Sequence, residues 1–337
     1  FKKQAKISLA GVILSGSLGL YFAYNGYGVW SLVIQQLANT FIQMLLFWTM
    51  TRWRPTCGFS KESFNKLFGF GSKLLASGLL DTIYNNMYDL IIGKFFASAT
   101  LGVYARANHF ASFPSSKITG IFQRVTFPVL SKMQNDKDRL RTNYLKFLNI
   151  STLVVFPLMI ELAALAKPLV LLFLTEKWAM VIAILQIICF SRMWYPVHAI
   201  NLNILQVMGR SDLFLKLEII KKVIGIVLIV VTVPYGIYVM CYGQLAGTVF
   251  CLFVNTYYSG KLLDAGFSKQ LHFYIPTFIN SLIMGTISYG TTLLLPAKNY
   301  GIQLIAGFST GAFYYILSNW LFNKEMTQEL IALIRKK

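Results

Sequence analysis

The sequence predicts an all-α polytopic membrane protein of about ten transmembrane helices, and three observations carry that expectation. Hydrophobic residues make up 56% of the 337-residue chain and charged ones only 13%, against roughly 25% charged in soluble domains. Apolar runs of about 20 residues, the length that crosses ~30 Å of hydrocarbon, recur along the whole sequence. The basic residues gather in alternate connections between those runs, as they do in the cytoplasmic loops of membrane proteins.

Runs bounded by charges and by Gly/Pro clusters place the spans at 8–24, 29–50, 71–96, 100–126, 146–173, 179–208, 213–233, 236–259, 273–295 and 301–322. The connections between them are short. Several runs are long and contain proline (Pro114, Pro157, Pro168, Pro196), which predicts tilted or kinked helices. The pairs Gly243/Gly247 and Gly307/Gly311 are expected to let helices approach closely. Residues 323–337 read as a short amphipathic tail at the membrane surface. The chain begins at Phe1 with a basic segment and no cleavage pattern, so it is expected to be a fragment truncated at its amino end.

The net charge is +19, and its distribution points to basic loops rather than to nucleic acid. With the first residues in the cytoplasm, most Lys and Arg fall on the cytoplasmic side, Lys216, Lys221 and Lys222 counted among them. The external turns hold only Lys94, Lys177 and Lys298. This predicts a multi-pass protein of the bacterial inner membrane with both ends cytoplasmic. Six basic residues (Lys73, Arg106, Lys117, Arg124, Lys167, Arg192) and three acids (Asp81, Asp89, Glu161) remain within or at the edges of spans. A charge at the bilayer centre costs about 2.5–3.5 kcal/mol on insertion scales, so such residues must face protein, water or a ligand.

In the fourth span Arg106, Phe110, Phe113, Lys117, Gly120 and Arg124 share one helical face, with His109 beside it. From Arg106 to Arg124 is about 27 Å of helix, a cationic ladder almost as deep as the membrane. The alternative is that Arg106 and Arg124 snorkel to opposite surfaces. In the third span Asp81, Asn85 and Asp89 form a polar face with Tyr84 and Tyr88 beside it, either ion-paired to the next span or serving as a coupling-ion or proton site. The sixth span adds Arg192, Tyr195, Asn203 and Gln206, with Trp194 and His198 nearby, and Pro196 is placed to break that helix. A cavity lined by these faces would suit a phosphate or pyrophosphate through Arg and Lys, and sugars through Tyr84, Tyr88, Tyr195 and Asn203. The predicted ligand is an anionic, sugar-bearing amphiphile.

Enzyme chemistry is not expected. Gly69-x-Gly71-Ser72-Lys73 lacks the full phosphate-loop spacing and opens a transmembrane run. The three histidines (His109, His198, His272) and four cysteines (Cys57, Cys189, Cys241, Cys251) show no metal-ligand or disulfide spacing. Neither a metal nor another cofactor is predicted.

The stretches FGFGSKLLASGLLDTIYNNMYDLIIGKFF, LGVYARANHFASFPSS and FPVLSKMQND, between Phe68 and Asn135, resemble the Wzx-type polysaccharide and O-antigen flippases of the multidrug/oligosaccharidyl-lipid/polysaccharide exporter superfamily. The resemblance extends over essentially the whole chain. It implies two six-helix lobes about a central cationic cavity. Residues 1–66 would then be the last two helices of the N-terminal lobe and a cytoplasmic linker, with about four helices missing before them. Residues 67–262 would be the C-terminal lobe, 263–322 two additional helices, and 323–337 the cytoplasmic tail. It also implies alternating-access movement of a polyprenyl-pyrophosphate-linked oligosaccharide, with membrane lipids and polysaccharide polymerase or assembly proteins as partners. The related lipid II flippases carry an arginine in the helix matching span four, for which Arg106, or His109 in its place, stands here.

Two other readings have their own signatures. An ion-coupled multidrug antiporter wants carboxylates in its cavity, whereas basic residues outnumber acids within these spans. A membrane-embedded polysaccharide polymerase or ligase resembles proteins with a long external loop, and the external turns here are short.

Overall fold

The computed structural model describes residues 2–50, 60, 61, 64, 68, 82, 86–296 and 299–322. Among the described residues helices occupy the expected spans and there is no strand. In lipid every backbone N–H and C=O must be satisfied within the segment, which leaves the helix as the form these apolar runs can take. Four helical stretches are long and apolar enough to cross a membrane: Lys6–Tyr24, Lys137–Ala164, Met180–Val207 and Ile237–Leu263. Other long helices carry charged or amide side chains, as Ser98–Ser131 does with Arg106, Lys117 and Arg124.

The chain separates into two compact units, Phe1–Gly78 and Leu79–Lys337. In the first, α1 (Lys2–Tyr24) and α2 (Trp30–Met50) form a hairpin. Its turn needs Gly26 and Gly28, both at positive φ (82° and 51°), a region closed to most side chains. Gly11 brings α1 close to α2, since a Cβ there would lie 2.8 Å from Gln43 Cγ. Leu9, Leu20, Leu32 and Leu37 point outward, a surface suited to lipid rather than water.

The second unit begins with α3 (Met87–Phe95) and α4 (Ser98–Ser131). The fifth span is α5 (Lys137–Ala164) followed by α6 (Ala166–Phe173). The sixth is α7 (Met180–Arg192) followed by α8 (Tyr195–Val207). Then come α9 (Ser211–Thr232), α10 (Ile237–Leu263), α11 (Phe267–Leu294) and α12 (Tyr300–Phe322). The prolines act in two ways. α4 and α5 run through Pro114 and Pro157, whereas Pro168 and Pro196 fall in the first turn of a restarted helix, where the missing N–H costs least. Asp136 caps α5 by accepting from the Arg139 N–H at 3.1 Å.

Lipid tails are as apolar as leucine, so packing and interhelical hydrogen bonds hold this bundle rather than exclusion from water. α4, α5, α7 and α8 pack on one another, α10 covers α7 and α8, and α11 lies along α5. Phe156, Trp194 and Tyr274 meet edge to face, with ring centroids 5.1 and 5.6 Å apart. Below them four buried polar residues from four helices satisfy one another. Tyr144 donates to Asn201 Oδ1 (2.7 Å), as does Ser259 Oγ (2.8 Å), and Gln270 Nε2 donates to the Tyr144 hydroxyl (2.8 Å). Both Gly-xxx-Gly pairs sit at helix contacts. A Cβ at Gly243 would lie 2.7 Å from Thr232 Cγ2 on α9, and one at Gly307 would lie 2.7 Å from Leu165 Cδ2.

Candidate functional site

Helices α3, α4 and α7 to α10 of the second unit line a half-open cavity of about 430 Å³. Its wall carries three cations, Arg192, Lys221 and Lys222, against one acid, Glu218. Tyr88 and Tyr195 supply aromatic faces, and Gln123, Gln244 and Thr248 supply polar groups. Arg192 is the last residue of α7, so the interruption at Met193–Trp194 fixes where its guanidinium enters. Its Nη2 donates to Asn108 Oδ1 at 2.8 Å, while its Nε is buried without a partner. Asp89 lies within electrostatic reach of it, and Asp89 Oδ1 is also buried without a hydrogen bond. Glu218 pairs with Lys221 one turn along α9, which leaves the wall with a positive surplus.

The polar groups around this wall are held in place by further contacts. Tyr88 stacks on Tyr104 (centroids 6.2 Å apart), and the Tyr104 hydroxyl reaches Gln244 Oε1 at 3.5 Å. Ser191 and Thr248 share a hydrogen bond of 2.8 Å. Asn255 Nδ2 donates to His198 Nδ1 at 2.7 Å, which occupies the acceptor nitrogen of that ring. Concave, partly desolvated and cationic, the cavity can hold an anionic head group through charge-assisted hydrogen bonds. Among the described residues no three His, Cys, Asp or Glu side chains converge to hold a metal ion. The carboxylates outside the spans serve the loops. Asp264, at φ 52° after α10, bonds Lys269 at 2.5 Å and pairs with Arg141 at 3.4 Å. The Lys269 contact holds its carboxyl below the usual carboxylate range.

Of the residues singled out in the sequence, Arg192, Tyr195 and Tyr88 come together on this wall, with His198 beside them. Arg106, His109, Phe113, Lys117 and Arg124 lie instead on the exposed face of α4, opposite the buried Val103, Ala107, Ala111, Ser115 and Thr119. The ladder is thus one face, as its spacing requires, but only Gln123 of that helix reaches the cavity. The Arg106 guanidinium sits 5.8 Å from the Trp178 ring, a cation–π contact. Asp81, Tyr84 and Asn85 lie outside the described residues, as do Cys57, Lys73 and Lys298.

Two sequence expectations change. Asn203 does not join Arg192 and Tyr195: it is 7% exposed within the bundle, its Nδ2 without a partner. Gln206 faces outward. The break at Met193–Trp194 separates α7 from α8, so face assignments do not carry across it. Lys221 and Lys222, counted from sequence with the cytoplasmic charges, stand in the middle of α9, about 15 Å from its start, and line the cavity. Sequence reasoning overlooked them because two adjacent lysines eight residues into an apolar run read as its edge. The signal that could have found them is the hydrophobic segment on both sides.

Comparison with known proteins agrees with this architecture. The family model described as "Polysaccharide biosynthesis protein" matches residues 1–183. The lipopolysaccharide biosynthesis protein WzxC of Escherichia coli (strain K12) is 26% identical over 251 residues, covering 74% of this chain and 49% of that protein. The teichuronic acid biosynthesis protein TuaB of Bacillus subtilis (strain 168) is 23% identical, covering 100% of this chain and 70% of that one. The chain therefore spans about half the length of the first relative and somewhat more of the second. Among solved structures, the lipid II flippase MurJ in an inward closed conformation superposes with a TM-score of 0.71 at 15% identity, over 95% of this chain and 67% of that one. The shared fold, the polytopic helices and the family match give one conclusion: this chain belongs to the polysaccharide biosynthesis protein family.

Proposed function

We propose that this chain, with whatever completes it, translocates a lipid-linked oligosaccharide across the bacterial inner membrane by alternating access. The observation that carries the reading is the cavity wall with Arg192, Lys221 and Lys222 against Glu218. A volume of about 430 Å³ suits the phosphate-bearing head group and its first sugar, while the polyprenyl chain stays in the lipid. Arg192 keeps an unpartnered Nε for a phosphate oxygen, and Tyr88 and Tyr195 offer faces to a sugar ring. The exposed α4 ladder of Arg106, Lys117 and Arg124 offers a second cationic surface along the path. The names of WzxC, TuaB and MurJ support a carbohydrate cargo, and the basic-residue pattern supports cytoplasmic ends. A drug-cation antiporter is disfavoured by the sign of the cavity.

The test is export. In cells deleted for the natural gene, wild type should restore surface polysaccharide, while Arg106→Ala and Lys117→Ala should insert normally and restore little. Full restoration by both variants together with Arg192→Ala would overturn the cationic-path reading.

A further inference from the structure

Glu161 belongs to a place the cavity does not touch. It stands near the end of α5, is 6% exposed, and faces α11 and α12. Both of its carboxyl oxygens lie 2.9 Å from Ser288 Oγ on α11. Ser288 Oγ also lies 3.1 Å from the Met284 carbonyl. A serine hydroxyl carries one hydrogen, which the carboxyl and Met284 would otherwise have to share. A proton on Glu161 resolves this: the carboxyl O–H donates to Ser288 Oγ, and Ser288 donates to Met284.

No counter-charge is at hand among the described residues. α12 has no charged residue from Tyr300 to Phe322. On α11 the only basic groups are Lys269 and His272, about 24 Å or more along the helix from Ser288. Those of α5 end at Lys146, about 22 Å away, and Lys167 of α6 is exposed. The Tyr315 hydroxyl of α12 is spent on the Leu153 carbonyl at 2.8 Å, and Tyr289 of α11 is exposed. A buried carboxylate without a cation beside it strongly prefers its neutral form. The helices approach closely here: a Cβ at Gly311 of α12 would lie 2.0 Å from Ser288 Oγ and 2.9 Å from Glu161 Oε2.

We propose that Glu161 and Ser288 form a proton-binding site that locks the α11–α12 pair onto α5, and that release of the proton to water accompanies opening of this seam. The site takes a proton as its ligand. It deepens the transport reading by giving that cycle a coupling ion, yet proton binding itself is measured without any sugar. Infrared spectra of the purified chain in lipid nanodiscs should contain a protonated-carboxyl carbonyl band that Glu161→Gln removes. Ser288→Ala should move that band to higher frequency, through loss of its hydrogen-bond partner. Raising the pH should convert the band to carboxylate. Over the same range, amide hydrogen exchange across Ser281–Thr292 and Gly307–Gly311 should quicken beyond its intrinsic pH dependence, in wild type but not in Glu161→Gln. Absence of the band, or equal quickening in both proteins, overturns the proposal. Loss of export with the band and its pH response intact would count against the transport reading alone.

Discussion

Replacing Arg192 by Gln removes the one guanidinium that the cavity wall presents to a ligand. Its Nη2 is engaged by Asn108 Oδ1 at 2.8 Å, and its Nε is buried without a partner. A bound phosphate would therefore gain at least the Nε hydrogen bond together with the charge. Hydrogen bonds to charged groups contribute about 1.5–3 kcal/mol each. Taking about 2–3 kcal/mol for Arg192 as a whole predicts affinity for a polyprenyl-diphosphate sugar weaker by about 30- to 150-fold. Arg192→Lys keeps the charge but loses the planar fork, and should recover all but about tenfold. Affinity is to be read by titrating the labelled lipid into protein held in nanodiscs, with thermal unfolding as a control for folding. The charge must also make itself felt through salt, since raising ionic strength weakens a partly hydrated ion contact. Wild-type affinity in Arg192→Gln, or equal weakening by Lys and Gln, would refute the reasoning.

Three more outcomes follow from the geometry. Reversing Lys222 to Glu should weaken the same titration more than Lys222→Gln does, because the wall would then hold two cations against two acids instead of three against one; equal affinities of the two variants would show the cavity charge to be irrelevant. Tyr144→Phe removes a hydroxyl that donates to Asn201 and accepts from Gln270, at about 0.5–1.5 kcal/mol per hydrogen bond, because Ser259 and the Ala265 carbonyl still partner those side chains. This should lower the thermal unfolding midpoint in detergent without changing ligand affinity. Asp264, held below the usual carboxylate range chiefly by Lys269, contributes loop order above the ordinary carboxylate range. That order is lost only as pH falls through the depressed value, so protection of the 264–269 loop, corrected for the intrinsic pH dependence of exchange, should fall in strong acid for wild type and show no such fall in Asp264→Asn.

How much of this was legible in the sequence differs by element. The spans in the described residues were readable, with helices that begin up to nine residues earlier than the apolar runs, because the membrane imposes one length and one polarity on every crossing, whatever lies beside it. Helix interruptions at Pro168 and Pro196 were foreseeable from the missing N–H, but not the loss of register that took Asn203 away from Arg192. The α4 ladder emerged as a shared face because 3.6-residue periodicity is local. Which cavity a face borders is not local, and there the one-dimensional reading failed: Lys221 and Lys222 were counted with the cytoplasmic charges at a span's end, and Gln123 and Gln244 were not singled out.

By itself the sequence determined that this chain is all helical and polytopic, because apolar length and backbone hydrogen bonding leave no other form in lipid. It also picked out most of the residues that carry charge into the membrane, Lys221 and Lys222 excepted, since such charges are rare enough to count. Only the tertiary structure decided which of them meet: Arg192 with Lys221 and Lys222 across α7 and α9, and Glu161 with Ser288 beneath Gly311. Those meetings depend on how helices distant in sequence cross and how closely their glycines let them approach, and such contacts leave no periodic trace in the chain.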